Sequence, residues 1–308
     1  MKNFNYYLIR SLWNFGALLP FKVLYLFSDI IYLLVYYVAR YRRKVVRKNL
    51  VNSFPEKTIK EIVQIEKEFY AWFCDFIVEI IKIRSISNKQ MCNRMTFDGL
   101  DEIYQHMEEN GQTLCFAYLG HYCNWEWITS LPLWTKDKFH CAQIYHPLEN
   151  ETMNRLILEN RGMFGSESIA MNDTLRRIAR LRKEGKKTII GFISDQSPHW
   201  NSIHLWMDFL NQETPVFTGA ERIAKQMNVC SCYIDIECKK RGYYSAHFKL
   251  IKTDSDVSKS EYPVTETYMH LMEDTIKRSS PYWLWSHNRW KRKKILADKK
   301  VRDSINNK

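Results

Sequence analysis

The sequence predicts an α/β protein, in which helices cover a mostly parallel sheet with an antiparallel edge hairpin, preceded by an N-terminal helical membrane anchor. Short apolar runs at 113–119 and 188–193 have the composition of buried strands and alternate with helical segments. Two further strand-like runs, 229–238 and 243–251, are separated by a four-residue turn and predict a hairpin. An apolar segment at 17–39 is long enough to cross a bilayer, for which about 20 residues suffice.

The remaining elements follow from hydrophobic periodicity. Ser53 and Glu56 have the spacing of a capping box and predict the start of a long amphipathic helix whose apolar face extends to Ile80. Shorter helices and one more strand alternate along the rest of the chain, and a glycine follows two of these helices as a C-terminal signal. The predicted helices are 100–109, 124–134, 149–161, 173–184, 217–227 and 262–279, and the additional strand is 139–145.

Composition and the location of charge narrow the class of protein. The chain has 308 residues, 45% of them hydrophobic, so it can bury a large core and is too apolar for intrinsic disorder. Residues 1–50 carry nine Lys and Arg against one acid, residues 291–308 carry eight against two, and residues 51–290 carry 29 against 31. A nearly neutral body with basic ends fits an anionic membrane surface, whereas nucleic-acid readers carry their charge on the folded body. We therefore expect a membrane partner and no nucleic acid.

These boundaries also divide the chain. Residues 1–50 are interpreted as a membrane-associated helical anchor with a basic flank, residues 51–290 as the α/β domain and residues 291–308 as a basic tail. Pro20, Lys22 and Asp29 interrupt the apolar segment, so three interpretations stay open: an interfacial helix, a single span, or a helix buried in a soluble core. A basic block follows the segment, so either membrane interpretation keeps the body on the cytoplasmic side.

The eight cysteines predict neither disulfides nor a metal site. No CxxC pair occurs, and most cysteines lie in apolar runs, as reduced core thiols do. Cys230, Cys232 and Cys238 share one face of a predicted strand, but structural zinc sites favour shorter loop spacings. We expect no metal.

The strongest candidate for catalysis follows the first buried strand. Catalytic groups in open α/β sheets lie at the carboxyl ends of strands, and His121 occupies that position beside Gly120. Glu126 follows five residues later, a spacing that can return a carboxylate to the imidazole. A carboxylate on one ring nitrogen fixes the tautomer and leaves the other nitrogen free to accept a proton. The pair therefore predicts general-base activation of a hydroxyl or amine.

Other interpretations of the same residues carry less support. A His-x4-Glu pair alone also fits a salt link at a helix start. No HExxH or G-x-S-x-G pattern occurs, which disfavours a zinc protease and a serine hydrolase. Cys123 is a poor nucleophile for His121, because two residues of separation make their hydrogen bond awkward.

Several ordered blocks resemble the bacterial lipid A late acyltransferases, the lauroyl/myristoyl transferase family of the glycerolipid acyltransferase superfamily. The likeness covers most of the chain and includes the N-terminal apolar segment. Its blocks are Gly120–Trp127 (GHYCNWEW, similar to GHxxNWE), Ile144–Asn150 (similar to Y-R-P-x-x-N), Arg161 with Phe164 and Gly165, Asp195–Pro198 (similar to D-Q), Thr214–Ala224 and Trp285–Lys291 (similar to W-x-H-x-R-W-K). Two residues depart from the pattern: His146 stands where the family often has Arg, and Cys123 where it often has Gly.

The resemblance implies acyl transfer from an acyl-carrier-protein thioester to a hydroxyl of a lipid A precursor, at the cytoplasmic face of the inner membrane. His121 would then be the base and Glu126 its orienting partner. Such a reaction uses no cofactor and no metal, because the thioester is already activated. Candidates for stabilising the oxyanion or binding substrate are Asn124, Arg161, Asp195, Gln196, His146 and Arg289.

The sequence allows more than one interpretation of the carrier-protein docking site and of the acceptor lipid. Arg176, Arg177, Arg180, Arg182 and Lys183 lie on one predicted helix and fit either a docking site for the acidic carrier protein or a solvated face. The same chemistry on a lysophospholipid or amino-acid lipid is the nearest alternative function, and a non-catalytic membrane-surface binding protein is a more distant one. The acyl chain length, the acceptor hydroxyl and the choice between carrier protein and coenzyme A are not encoded in any motif.

Overall fold

A computed structural model describes residues 2–252 and 260–294, so most of the predicted basic tail lies outside the described residues. Helices and strands alternate through the centre of the chain. The helices are α1 (Lys2–Leu18), α2 (Phe21–Leu33), α3 (Arg43–Ser53), α4 (Ile59–Lys82), α5 (Asn88–Arg94), α6 (Leu100–Glu109), α7 (Pro132–Thr135), α8 (Glu151–Arg161), α9 (Thr174–Glu184), α10 (Gly219–Ala224) and α11 (Pro263–Arg278). The strands are β1 (Met95–Asp98), β2 (Leu114–Leu119), β3 (His140–Tyr145), β4 (Glu167–Ala170), β5 (Thr188–Ile193), β6 (Leu205–Phe209), β7 (Gln212–Val216), β8 (Val229–Lys240) and β9 (Tyr243–Leu250).

Seven strands form one sheet in the order β1-β9-β8-β2-β5-β3-β4. Every neighbouring pair is parallel except β8 and β9, which form the predicted antiparallel hairpin. β1 adds one parallel strand outside that hairpin, and β6 and β7 pair separately as a second, two-stranded sheet. The predicted α/β class, with a mostly parallel sheet, is confirmed.

Burial on both faces explains why the central strands are continuously apolar. Every residue of β2 is buried. On one face Tyr268 of α11 packs against Tyr118 of β2, with ring centroids 5.4 Å apart. On the opposite face Trp127 packs edge-on against Tyr244 of β9, with ring centroids 5.7 Å apart, and donates from Nε1 to the carbonyl oxygen of Glu79 in α4. Helical segments therefore cover the sheet from both sides, as a parallel sheet requires.

The predicted start of the long helix is wrong by five residues. α3 continues to Ser53, so this residue has a helical backbone and cannot adopt the extended conformation of an N-cap. The capping box instead joins Thr58 and Glu61, whose side chains each accept a hydrogen bond from the backbone of the other residue.

The N-terminal apolar segment forms two helices. α1 ends at Leu18, Pro20 precedes α2, and a turn of π-helix, Leu34–Val38, extends α2. The stretch Phe21–Val38 is long and apolar enough to cross a membrane by length and composition, and only 17% of it is buried. α2 packs against α4 along its other side.

The four strands that the periodicity did not predict are short or polar, and one of them is β6, with the five residues LWMDF. β4 has the sequence ESIA, β7 has QETPV and β1 has four residues, so none contains a long apolar run. The predicted helix at 124–134 is a 3-10 turn followed by the single turn of α7. Pro132 begins α7, because proline is tolerated in the first turn of a helix but not in its interior.

Gly99 closes the turn between β1 and α6 and provides a test of this packing. Its φ is +78°, and a Cβ there would lie 2.3 Å from the carbonyl oxygen of Phe248. We expect Gly99→Ala to lower the free energy of unfolding by about 3 kcal/mol or more, from backbone strain and steric overlap together. Chemical denaturation in detergent measures this loss.

Gly111→Ala is the matched control, because Gly111 has a φ of +60° and nothing within 4 Å of an added Cβ. It should lose only the strain contribution of about 1–2 kcal/mol. Equal losses in the two variants would contradict the close approach of Phe248.

Candidate active site

Two parallel strands bring a histidine and an aspartate together. Leu119, the last residue of β2, pairs with Ile193, the last residue of β5. His121 and Asp195 each lie two residues beyond their strand, so the shared register places them side by side. Nδ1 of His121 lies 2.7 Å from Oδ1 of Asp195.

The Asp195 carboxylate is buried and fully supplied with donors. Its Oδ2 accepts hydrogen bonds from the backbone N–H of His121 at 2.9 Å and from Nε1 of Trp283 at 2.7 Å. Burial alone would raise the pKa of Asp195, but the charge of His121 and these hydrogen bonds outweigh it and lower the pKa to about 2. Because an ionised carboxylate only accepts, Nδ1 of His121 must donate, and in the neutral imidazole the lone pair is then on Nε2.

The second ring nitrogen of His121 lies beside Gln196, and both residues line a cavity in the protein. The side chain is 20% exposed, and Nε2 lies 3.3 Å from Nε2 of Gln196, the residue after Asp195. Trp125 packs edge-on against the imidazole ring at 5.1 Å between centroids. A ring held by Asp195 on one side and Trp125 on its flank is oriented to accept a proton from a molecule in the cavity.

Glu126 contacts Arg161 and not His121, the partner that the sequence predicted for it. Its two carboxylate oxygens accept hydrogen bonds from Nη2 and Nε of Arg161, at 2.6 Å and 2.8 Å, and Asp195 holds Nδ1 of His121 instead. The turn after His121 explains the difference. Cys123 has a φ of +49° and the 3-10 helix begins only at Trp125, so His121 lies outside the helix that carries Glu126.

Asn124, a candidate oxyanion donor, is buried and already committed. Its Oδ1 caps the turn by accepting from the backbone N–H of Trp127 at 3.1 Å, and its Nδ2 donates to Oε2 of Glu79 at 2.7 Å. The cavity does not include it among its lining residues. Asn124 therefore stabilises the turn after His121 and does not contribute to the cavity wall.

Glu79 of α4 binds the turn that follows His121, a contact that the sequence analysis did not predict. Its carboxylate is completely buried and accepts from Asn124, from Tyr25 of α2 at 2.8 Å and from Tyr244 of β9 at 2.9 Å. Burial raises the pKa of Glu79 to about 7, although the three hydrogen bonds oppose this shift. The available signal was an acidic residue on the apolar face of a predicted helix, which calls for a buried partner.

A cavity of about 980 Å³ opens at His121. Its wall contains three of the six predicted substrate-binding residues, both residues of the predicted catalytic pair, and Arg292, which was not predicted. These residues are His121, Glu126, His146, Arg161, Gln196 and Arg292. Deeper residues are apolar or small, among them Ala117, Leu131, Cys141, Ile189 and Gly191. The cavity thus joins a charged entrance to a space that fits a hydrocarbon chain.

Arg289, another predicted substrate-binding residue, lies in the core instead. It is fully buried, donates from Nη2 to the carbonyl oxygen of Pro215 at 2.6 Å and does not line the cavity. Burial lowers the pKa of Arg289 to about 10, although Asp195 favours the charged form. Arg292, three residues later, reaches the cavity and donates to Oγ of Ser197 at 2.8 Å. Three positions along an irregular segment thus separate the core arginine from the cavity arginine.

The cysteines are free, and six of the eight are buried. Sγ of Cys115 lies 3.5 Å from Sγ of Cys232 on the neighbouring strand, and burial raises the pKa of Cys123 well above its ordinary value. Within residues 2–252 and 260–294 no group of three or more His, Cys, Asp or Glu side chains is arranged to hold a metal ion.

An imidazole oriented by a buried carboxylate, beside a largely apolar cavity on an α/β sheet, is an arrangement typical of enzymes that act on apolar substrates. A family model described as bacterial lipid A biosynthesis acyltransferase matches residues 1–292. The chain belongs to this family and is an acyltransferase. No curated protein matches the chain.

His287 makes the region around the site sensitive to acid. Its Nε2 is enclosed without a partner among the described residues, and burial lowers the pKa of His287 to about 4. An unfolded histidine titrates near 6.5, so the stability contributed by neutral His287 is present above pH 6.5 and lost as the pH falls towards 4. We expect the melting temperature to fall less over this range in His287→Gln than in the wild type.

Differential scanning fluorimetry at pH 4 to 7 tests this difference. His270→Gln is the control, because His270 is exposed on α11 and should leave the pH dependence unchanged. Parallel pH curves for wild type and His287→Gln would contradict the prediction.

Proposed function

We propose that this acyltransferase moves a fatty acyl group from an acyl-carrier-protein thioester to a hydroxyl of a lipid A precursor, at the cytoplasmic face of the inner membrane. The observation that carries the proposal is the His121–Asp195 pair at the entrance of the apolar cavity. Family membership supports the lipid A acceptor, and the basic N-terminal flank supports the cytoplasmic face.

The reaction begins with the acceptor hydroxyl against Nε2 of His121. The imidazole takes the hydroxyl proton as the oxygen attacks the thioester carbonyl, which forms a tetrahedral intermediate and an imidazolium. The intermediate then expels the carrier thiolate, and His121 returns the proton to the sulfur. The products are the ester and the free carrier thiol, so no proton or electron is left over.

Asp195 stabilises the imidazolium formed in this step. It accepts from Nδ1 and holds the ring in the tautomer that leaves Nε2 unprotonated in the resting enzyme. The carboxylate remains ionised because three donors compensate its burial. We therefore assign to Asp195 the orienting function first predicted for Glu126.

Gln196 and Arg161 are the groups best placed to stabilise negative charge on the substrates, either on the oxyanion of the intermediate or on the phosphates of the acceptor. The Gln196 amide is 3.3 Å from Nε2 of His121, so it can turn from the imidazole to the oxyanion once the substrates bind. Arg161 is held at the cavity wall by the two-point pair with Glu126. With Arg292 and His146 it offers a positive or polar surface that suits the phosphates of a lipid A precursor.

The donor is expected to approach from the side of α9, whose first turn lines the cavity through Thr174 and Leu175. Two of the five basic residues predicted for carrier docking are already paired: Arg177 with Glu167 and Glu184, and Arg176 with Asp173. The docking surface then reduces to the exposed cations of this helix, which are Arg180, Arg182 and Lys183. The thioester brings its own activation, so the reaction needs no metal or cofactor.

The defining assay combines purified protein, acyl carrier protein loaded with an acyl chain and a tetra-acylated, Kdo-bearing lipid A precursor. We expect a product heavier by one acyl group, detected by mass spectrometry, and its loss in His121→Ala. Transfer only to lysophospholipid or an amino-acid lipid would keep the mechanism and reject the lipid A acceptor. Membrane binding without transfer to any of these acceptors would support a non-catalytic binding protein.

Substitutions of Asp195 and Glu126 are predicted to change different kinetic constants. Asp195→Asn should lower kcat by about 10³-fold or more, because it loses the charge that favours the imidazolium and the productive tautomer. Glu126→Gln should mainly raise the KM for the acceptor, because it loosens Arg161 and leaves the imidazole in place. Steady-state kinetics of both variants test this order, and an equal loss of kcat would contradict it.

Gly191 of β5 lines the apolar part of the cavity, and a Cβ there would meet its neighbours at 3.7 Å or more. Larger side chains should therefore fit the strand and shorten the space for the acyl chain. We expect Gly191→Ala and then Gly191→Val to shift preference progressively towards shorter acyl donors. Competition between donors of different length measures the shift, and an unchanged preference in both variants would place the acyl chain elsewhere.

A further inference from the structure

The two N-terminal helices each present a row of exposed apolar side chains to the surroundings. On α2 and its π-helical extension, exposed apolar side chains recur at helical spacing, and α1 carries a second such row. The exposed residues are Leu26, Phe27, Ile30, Leu33, Leu34, Tyr37 and Val38 on the former, and Leu8, Leu12, Phe15 and Leu18 on the latter. An exposed apolar area of this extent marks an interaction surface.

The opposite face of α2 is fixed to α4 by polar contacts along its length. Near its start, Tyr25 donates to Glu79 at 2.8 Å. One turn later, Ser28 donates to Asp75 at 2.6 Å. At its end, Tyr36 packs against Tyr70 with ring centroids 5.4 Å apart. α2 therefore lies antiparallel on α4 and cannot separate from it without exposing these groups.

Two further contacts fix the ends of the helices. Lys82 of α4 donates to the carbonyl oxygens of Ala17 and Leu19, at 2.8 Å and 2.9 Å, where α1 ends. Arg241, in the β8–β9 turn, binds Asp29 of α2 and Asp75 of α4, at 2.6 Å each. Charged side chains from the α/β body are thus part of the packing of both N-terminal helices.

A membrane-spanning orientation of α2 would carry this packing into the bilayer. The β8–β9 turn would have to enter the hydrocarbon with α2, because Arg241 binds Asp29 near the middle of the apolar stretch, and this turn also carries the exposed Lys239 and Lys240. Charged groups in the hydrocarbon are strongly unfavourable. An orientation in the plane of one leaflet instead buries only the apolar row and leaves this turn in water.

The positive charge that follows α2 indicates which partner covers the apolar face. Arg40, Lys44 and Lys48 are exposed directly after the last apolar residues of the row. Cations beside an apolar face suit a lipid surface with anionic headgroups, where each contributes attraction at the interface.

We propose that α1 and α2 lie flat in one leaflet of an anionic lipid bilayer and that the chain does not cross the membrane. The inference rests on the membrane location proposed above and is independent of the catalytic assignment. It selects the interfacial anchor among the three interpretations that the sequence left open.

This orientation also places the cavity close to the lipid. α1 contacts α8 through the hydrogen bond from Tyr6 to Glu159, and Arg84 binds the same carboxylate at 3.1 Å. α8 lines the cavity with Asn154 and Arg161. A single helix thus separates the anchor from the cavity, so an acceptor lipid reaches the entrance without leaving its leaflet.

A cysteine at Asn5, which is exposed on α1, reports the side of the membrane on which the N-terminus lies. The background carries Cys92→Ser and Cys238→Ser, because the other six cysteines are buried. We expect an impermeant maleimide to label Asn5→Cys in inverted vesicles and not in sealed spheroplasts, like the control Lys60→Cys on α4. Labelling of Asn5→Cys from the opposite side would show a span and overturn the proposal.

A depth measurement tests the orientation without relying on cells. Leu26 and Val38 are separated by about 18 Å along the helix, at 1.5 Å per residue. Spin labels at the two positions, in vesicles of phosphatidylcholine and phosphatidylglycerol, should show equal, shallow depths by oxygen and nickel accessibility. Depths that differ by most of the helix length would indicate a span, and labels shielded from both probes would indicate a second copy on this face.

The wild-type enzyme and each labelled variant are also assayed for acyl transfer. Loss of transfer with unchanged depths would reject the proposed reaction and keep the flat orientation. Normal transfer by protein that does not float with vesicles would reject the membrane surface and keep the reaction.

Discussion

A buried negative charge organises this protein. The Asp195 carboxylate is almost completely removed from water, and a charge in that position is stable only with donors on both oxygens. β2 and β5 must therefore be adjacent and in register, so that His121 supplies two of the donors. The segment that carries Trp283 must also return to the same place, and it does so by pairing its backbone with the catalytic turn. The pairing of β2 with β5, the turn after His121 and the C-terminal segment with Trp283 together supply the donors that stabilise the Asp195 carboxylate.

Structure that depends on neighbouring residues in the sequence can be predicted from it, whereas contacts between residues far apart in the sequence cannot. Buried strands and most helices follow from local periodicity, so the α/β class and the position of His121 at a strand end are predictable. The partner of His121 is not, because Asp195 lies 74 residues away and only the pairing of β2 with β5 brings it near. Glu126 has a suitable spacing, but the unpredicted turn at Cys123 directs it to Arg161. Asn124 and Arg289 likewise belong to motifs whose spacing gives no indication of burial.

α4 contacts both the N-terminal helices and the turn that follows His121. Its buried face carries Glu66, Asp75, Glu79 and Lys82, an unusual density of charge inside a core, and each is satisfied by a different part of the chain. Glu66 receives the basic flank through Arg43 and Arg47, and Asp75 and Lys82 hold the N-terminal helices. Glu79 binds both α2 and the catalytic turn. These polar contacts fix the orientation of the N-terminal helices relative to the turn that carries His121.

The contact between Trp283 and Asp195 also sets the order in which a newly made chain becomes competent. Trp283 follows Asp195 by 88 residues, so a nascent chain on the ribosome exposes the apolar N-terminal helices long before the last donor to the carboxylate exists. The growing polypeptide can therefore associate with lipid while its base is still unassembled. If the N-terminal helices bind lipid as proposed, membrane association precedes completion of the hydrogen bonds around Asp195.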